Sequence, residues 1–219
     1  MKKTPSRIWT IFHLWRLGNK WTGGRSWYQY IDFGGGITTE AWSHGKAKLR
    51  TESFLAFLQG SDYLRSDDIV VDIGCNAGLF SLIAAQKCAQ VHGVEIDLRF
   101  IRQAEFVKSY WDSIGRRVDN VKFLLCDITQ KLDLFSKATV VFASKVLYHK
   151  NIGDRFRQLM DAIQNSPVRL ILVQGHTTQG EKGQDEGMRI LMSKYSFDYQ
   201  MVENVPEYPI GIAKRNLGS

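Results

Sequence analysis

The sequence predicts an α/β fold: a mostly parallel seven-stranded sheet with helices on both faces, closed by a C-terminal antiparallel hairpin. Three observations predict it. Short β-branched runs alternate with amphipathic stretches across residues 51–215, the pattern of βαβ crossovers. The first run, Ile69-Val70-Val71-Asp72-Ile73, passes straight into a glycine turn and an apolar helix. The alternation then breaks near the end, where Phe197–Val202 and Ile210–Lys214 have no helix between them, so they should pair antiparallel at the sheet edge.

The elements follow in order. Phe54, Leu55, Phe57 and Leu58 give Thr51–Tyr63 an apolar helical face. After the first strand and the turn Gly74–Gly78, Leu79–Cys88 reads as a helix, Gln90–Glu95 as the second strand and Leu98–Trp111 as a helix. Val121–Cys126 and Thr139–Ser144 are the third and fourth strands, Ile152–Gln164 a helix, and Arg169–Gln174 the fifth strand. Thr177–Gly187, rich in Gly, Gln and Glu, reads as a mobile loop.

Residues 1–50 read as an N-terminal extension. Ile8, Ile11, Phe12 and Trp15 fall at helical spacing, flanked by Arg7, Arg16 and Lys20. Such a stripe packs against its own domain or lies on a membrane surface; packing is the expectation here. Trp27, Tyr28, Tyr30, Phe33 and Trp42 surround Gly34-Gly35-Gly36. They could form a lid or acceptor wall over a site, the reading preferred here, or a structural loop with a packed underside.

Composition bounds the function. Apolar residues make up 44% and charged residues 23% of 219, which suits one globular α/β domain. The net charge of +7 favours anionic partners, though over the whole chain the surplus reads as dispersed and solubility explains it equally well. Cys75, Cys88 and Cys126 have no metal or disulfide spacing, so no metal site and a reducing, cytoplasmic location are expected.

The chemistry concentrates at three strand ends. In Asp72-Ile73-Gly74-Cys75-Asn76-Ala77-Gly78 the glycines are spaced G-x-x-x-G, unlike the G-x-G-x-x-G of dinucleotide sites. A carboxylate before the first glycine would repel a pyrophosphate and welcome a cationic nucleoside such as S-adenosyl-L-methionine. Glu95 ends the second strand, placed to accept from ribose hydroxyls. Asp127 follows the third, placed to accept from an adenine amino group while Ile128 packs on the ring. Asp97 is a second candidate for the ribose contact, but reads more readily as a cap for the next helix. Cys75 and Cys126 read as inert lining residues.

This set of motifs resembles the class I, Rossmann-like S-adenosylmethionine-dependent methyltransferases over residues 51–215. The resemblance implies that residues 51–219 form the cofactor-binding domain, with Asp72, Gly74, Asn76, Gly78, Glu95, Asp127, Ile128 and Ser144 around the donor. It also implies that the fourth strand ends beside the transferring methyl, which brings in Lys145, Tyr148 and His149. His149 is the first choice for a general base, since imidazole titrates near neutrality; the other reading is a histidine that starts a loop or packs on the helix 152–164. Tyr148 could orient an acceptor or simply pack. Lys145 could hold an anionic acceptor or be a solvated lysine. His44 and His176 are further candidates.

The segment Val140–Lys150, with its Val-Leu-Tyr-His run, is also similar to part of the tRNA wobble-uridine carboxymethyltransferase family, as Ile37–Trp42 is, loosely, to a Thr-Glu-Trp stretch ahead of that family's domain. There Tyr148 matches a tyrosine that holds a carboxylated cofactor, and Lys145 stands where that family has glycine. The expected activity is methyl transfer to an O, N or C of a small-molecule acceptor, with RNA as the alternative acceptor. A non-catalytic adenosine-binding module and a nicotinamide oxidoreductase are the remaining readings, the latter disfavoured by Asp72.

Overall fold

A computed structural model describes residues 5–40, 47–144, 153–174, 184–203 and 209–216. Seven strands form one sheet: β1 (Ile69–Ile73), β2 (Gln90–Glu95), β3 (Val121–Leu125), β4 (Val140–Ser144), β5 (Leu170–Gln174), β6 (Phe197–Glu203) and β7 (Ile210–Arg215). Their spatial order is β3-β2-β1-β4-β5-β7-β6. The first five pair in parallel. β7 runs antiparallel to both β5 and β6, with Leu172 opposite Ile212 and Tyr199 opposite Ala213. The predicted hairpin is therefore present, and its second strand lies inside its first.

Alternation along the central strands feeds two cores, because successive side chains point to opposite faces. Val70, Phe142, Leu172 and Ile212 face one side. There they meet the α-helices α1 (Arg7–Gly18), α2 (Ala47–Gly60), α3 (Leu79–Ala85) and α4 (Leu98–Ser113). Val71, Val141, Ile171 and Ala213 face the other, against α5 (Gly153–Gln164) and α6 (Gln184–Ser193). The order reverses between β1 and β4, which opens a crevice at their carboxyl ends, where doubly wound sheets bind ligands.

Three sequence expectations change. α2 starts at Ala47, ahead of the expected Thr51, so the helix crosses the boundary drawn at residue 50. α6 begins inside the stretch read as the loop Thr177–Gly187; its buried Met188 and Met192, four apart, anchor it. Residues 175–183 lie outside the described residues.

The third change concerns α1. The stripe expected to pack inward faces outward: Ile8 is 82%, Phe12 51% and Trp15 41% exposed. The buried face is Thr10, Leu14 and Gly18. Small residues win because they let the helix backbone approach the domain closely. Gln103 of α4 holds that approach, its Nε2 donating to the carbonyls of Leu17 and Arg25. At the rim of the contact Trp9 and His13 stack on Phe106. Among the described residues no helix is long and apolar enough to cross a membrane.

Two aromatics of the cluster, Trp27 and Phe33, are core, while Tyr28 and Tyr30 are half-buried. Trp27 is fully buried, its Nε1 donating to Leu14 O at 3.2 Å. Phe33 packs edge-on against Tyr110. Both belong to the cluster that contains Phe54 and Phe80. Trp42 lies outside the described residues.

Candidate active site

The turn after β1 is fixed by its backbone. Gly74 takes φ +67° and Asn76 φ +58°, and the N–H groups of Gly74 and Cys75 both donate to Val94 O on β2, at 2.8 and 3.1 Å. Gly78, at φ +75°, has a different duty: a Cβ there would sit 2.4 Å from the Phe123 ring and 2.9 Å from Ala104 Cβ. It permits α3 to pack closely rather than opening space for a ligand.

A cavity of about 570 Å³ lies over this turn. Gly74 and Asn76 form its floor with Ile73 and Val94. Glu95 and Ile96 come from the end of β2, and Cys126, Asp127, Ile128 and Thr129 from beyond β3. Ser144 ends β4 at the same opening, Arg155 and Leu159 come from α5, and Phe100 from α4. Arg25 and Tyr28 close it from the N-terminal segment.

Glu95 is held on three sides. Its Oε2 accepts from Asn76 N–H at 3.2 Å, and Oε1 accepts from the N–H groups of Ile96 and Asp97 at 2.8 and 3.0 Å. Burial raises its pKa above the usual carboxylate value, and these backbone donors partly offset the rise. Asp127 caps the short 3₁₀ turn Ile128–Gln130. Its Oδ1 accepts from Thr129 N and Oγ1 at 3.0 and 2.9 Å, and its Oδ2 lies 3.2 Å from Arg155. Burial pushes this carboxyl up, but the Thr129 bonds and Arg155 together outweigh it and leave the pKa lowered. Ser144 Oγ donates to Gln174 Oε1 at 2.9 Å.

Asp72 stands behind the cavity, not in its wall. Its carboxylate is buried and accepts from Ser81 Oγ of α3 at 2.6 Å. Burial, with the nearby Glu95 charge adding to it, pushes its pKa up to about 7 despite the Ser81 bond. The negative wall that the sequence assigned to Asp72 is supplied by Glu95 and Asp127. Gly74, Asn76, Glu95, Asp127, Ile128 and Ser144 thus come together, while Asp72 and Gly78 support them from behind. Lys145, Tyr148, His149, His44 and His176 lie outside the described residues. Cys126 lines the cavity; Cys75 is buried, and burial raises its thiol pKa far from any nucleophilic range.

A model of the methyltransferase domain matches residues 64–207, about two thirds of the sequence. The chain belongs to the methyltransferase-domain family. Its fold is shared with magnesium protoporphyrin IX methyltransferase from Synechocystis PCC 6803, solved with S-adenosylhomocysteine bound: TM-score 0.61, 18% identity, 94% of each chain covered. It is shared too with precorrin-6y C5,15-methyltransferase from Geobacter metallireducens GS-15: TM-score 0.58, 13% identity, 80% of this chain and 94% of that one. A curated 23S rRNA (uracil(1939)-C(5))-methyltransferase of Legionella pneumophila is 32% identical over 84 residues, which is 38% of this chain and 18% of that protein. Protein arginine N-methyltransferase 1 of Chlamydomonas reinhardtii is 30% identical over 89 residues, 40% of this chain and 25% of that protein. The chain thus spans a quarter or less of the length of these curated relatives.

Three polar wall residues of this methyltransferase domain escaped the sequence reading, Arg25, Thr129 and Arg155, whereas Tyr28 belongs to the aromatic segment expected to wall the site. Thr129 had a local signal, two positions after a strand-end Asp. Arg25 had none, because Asp97, which it meets at 2.6 Å, is 72 positions away.

Proposed function

We propose that this chain is an S-adenosyl-L-methionine-dependent methyltransferase acting on a nucleophilic oxygen, nitrogen or carbon of a small-molecule acceptor. The observation that carries the reading is the pair of carboxylates, Glu95 and Asp127, facing one cavity from successive strand ends beside a left-handed glycine turn. Such a wall suits ribose hydroxyls, an amino group and positive charge, and repels a pyrophosphate.

The residues present fit that donor. Oε2 of Glu95, which accepts only from Asn76 N–H, keeps a lone pair for a ribose hydroxyl, Asp127 is the proposed acceptor for the adenine amino group, and Ile96 and Ile128 flank the ring. Arg25 and Tyr28, on the rim, are the proposed wall for the donor's carboxylate end and for the acceptor. When bound, S-adenosylmethionine supplies a methyl group already activated on a sulfonium, so the protein's task is to align and to move one proton. His149, five positions past Ser144, is the proposed base that takes the acceptor's proton; Tyr148 orients the acceptor and Lys145 meets it if anionic. The free thiols of Cys75, Cys88 and Cys126 support a cytoplasmic location.

Calorimetric titration with S-adenosylhomocysteine tests the reading. Glu95→Ala and Asp127→Ala should each weaken binding by about 1–3 kcal/mol, the cost of stranding polar groups. Unchanged affinity in both variants would refute the site. RNA remains the second acceptor class, supported by the +7 charge and by the rRNA-modifying relative.

A further inference from the structure

We propose that the outer face of α1 docks this protein on an anionic lipid bilayer. α1 is apolar nearly all round, the habit of a helix buried on every side, yet the described residues cover only one of its faces. Thr10, Leu14 and Gly18 meet the domain. Opposite them Ile8, Phe12 and Trp15 form a ridge at i, i+4 and i+7, with Trp9 and Ile11 alongside at 41% and 38% exposure. Trp21, in the 3₁₀ turn just beyond, is 94% exposed. Trp9 leans on Phe106 of α4, but among the described residues no ring of the domain stacks on Trp15 or Trp21.

Charge identifies the occupant. Read along the sequence, the first acidic residue is Asp32, and before it stand Lys2, Lys3, Arg7, Arg16, Lys20 and Arg25. Six of the seven surplus positive charges therefore belong to this segment, which corrects the impression of a dispersed surplus. Arg7, Arg16 and Lys20 are exposed on or just after the helix. Tryptophan, phenylalanine and isoleucine on one side with basic residues beside them match the depth profile of a bilayer interface: apolar groups below the headgroups, indoles among them, cations at the phosphates. The basic ground continues toward the active site. A second cavity, about 510 Å³, is lined by Lys20, Arg25 and Arg99, and shares Arg25, Tyr28 and Phe100 with the first.

Co-sedimentation of the whole protein with vesicles tests the proposal. Binding is expected to phosphatidylcholine vesicles containing about one quarter phosphatidylglycerol and not to pure phosphatidylcholine, and it should weaken as salt is raised. Phe12→Ser with Trp15→Ser should abolish it. Arg7→Gln with Arg16→Gln should lower it roughly twenty-five-fold, about fivefold per charge lost. Both variants should keep the wild-type melting temperature and affinity for S-adenosylhomocysteine; that second readout separates failure of docking from failure of the methyltransferase reading. No binding to the anionic vesicles, or ridge variants that still bind, would overturn the proposal. So would a dimer in light scattering that Phe12→Ser with Trp15→Ser dissolves, since a second copy would then own the ridge.

Discussion

Asp72 shows how one carboxylate can matter without touching a ligand. It lies on the same face of β1 as Val70, so the pleat aims it at α3, where Ser81 receives it. Its pKa of about 7 in the folded chain, against an ordinary value of 3.8, means that the native state keeps the proton longer than the unfolded state does. Stability from this group is full below about pH 4 and is lost as pH rises toward 7. Asp72→Asn cannot ionise and should escape that loss. Relative to wild type, it should gain stability between pH 4 and 7, by an amount on the order of 3–4 kcal/mol. Urea melts at both ends of the window measure it, and a constant difference would contradict the assignment. The D-x-G-x-x-x-G motif was plain in the sequence, but which way its aspartate faced was not. Period-two alternation from Val70 held that information; the expectation of a ligand contact obscured it.

At the scale of elements, the N-terminal segment acts as a strap on the glycine turn. The buried Gln29 uses both ends of its amide: Oε1 accepts from Leu79 N–H at 3.0 Å, and Nε2 donates to Cys75 O at 3.4 Å. Gln29→Ala strands Leu79 N–H, while Cys75 O keeps only its bond from Gly78 N–H. It should cost about 1–3 kcal/mol of stability and weaken S-adenosylhomocysteine binding, because the turn loses its brace. Melting and titration of one variant check both effects, and unchanged values would show the strap to be incidental. The alternating core was legible because three buried strands, β1, β4 and β5, carry near-continuous apolar runs. The strap was not, since its bonds join residues about fifty positions apart. α6 was missed because Gln184, Asp185, Glu186 and Gly187 at its start look like loop, and its two buried methionines are too few for a periodic signal. The orientation of α1 was misread because bulk suggested burial, whereas closeness of approach decided it.

Over the whole molecule, charge and fold divide the labour unevenly. Outside the first 31 residues the chain is almost neutral, with a single surplus positive charge. An RNA acceptor would have to be gripped mainly by the N-terminal segment. If RNA is the acceptor, affinity should fall steeply with salt, by a slope near 0.7 per phosphate contacted on a single strand. Deleting the charges of Arg7, Arg16 and Lys20 should then flatten that slope by about two units. Filter binding across a salt series reads it. Affinity that ignores salt would leave the small-molecule acceptor standing.

The placement of β7 between β5 and β6 bears on biosynthesis. During translation every parallel strand can find its neighbour in turn, but the slot beside β5 waits for the last strand made. Until residue 215 clears the ribosome, β5 presents a bare edge and β6 has no partner, an invitation to chaperones and to self-association. Shortening the chain by its final strand would therefore unzip two pairings at once, not one.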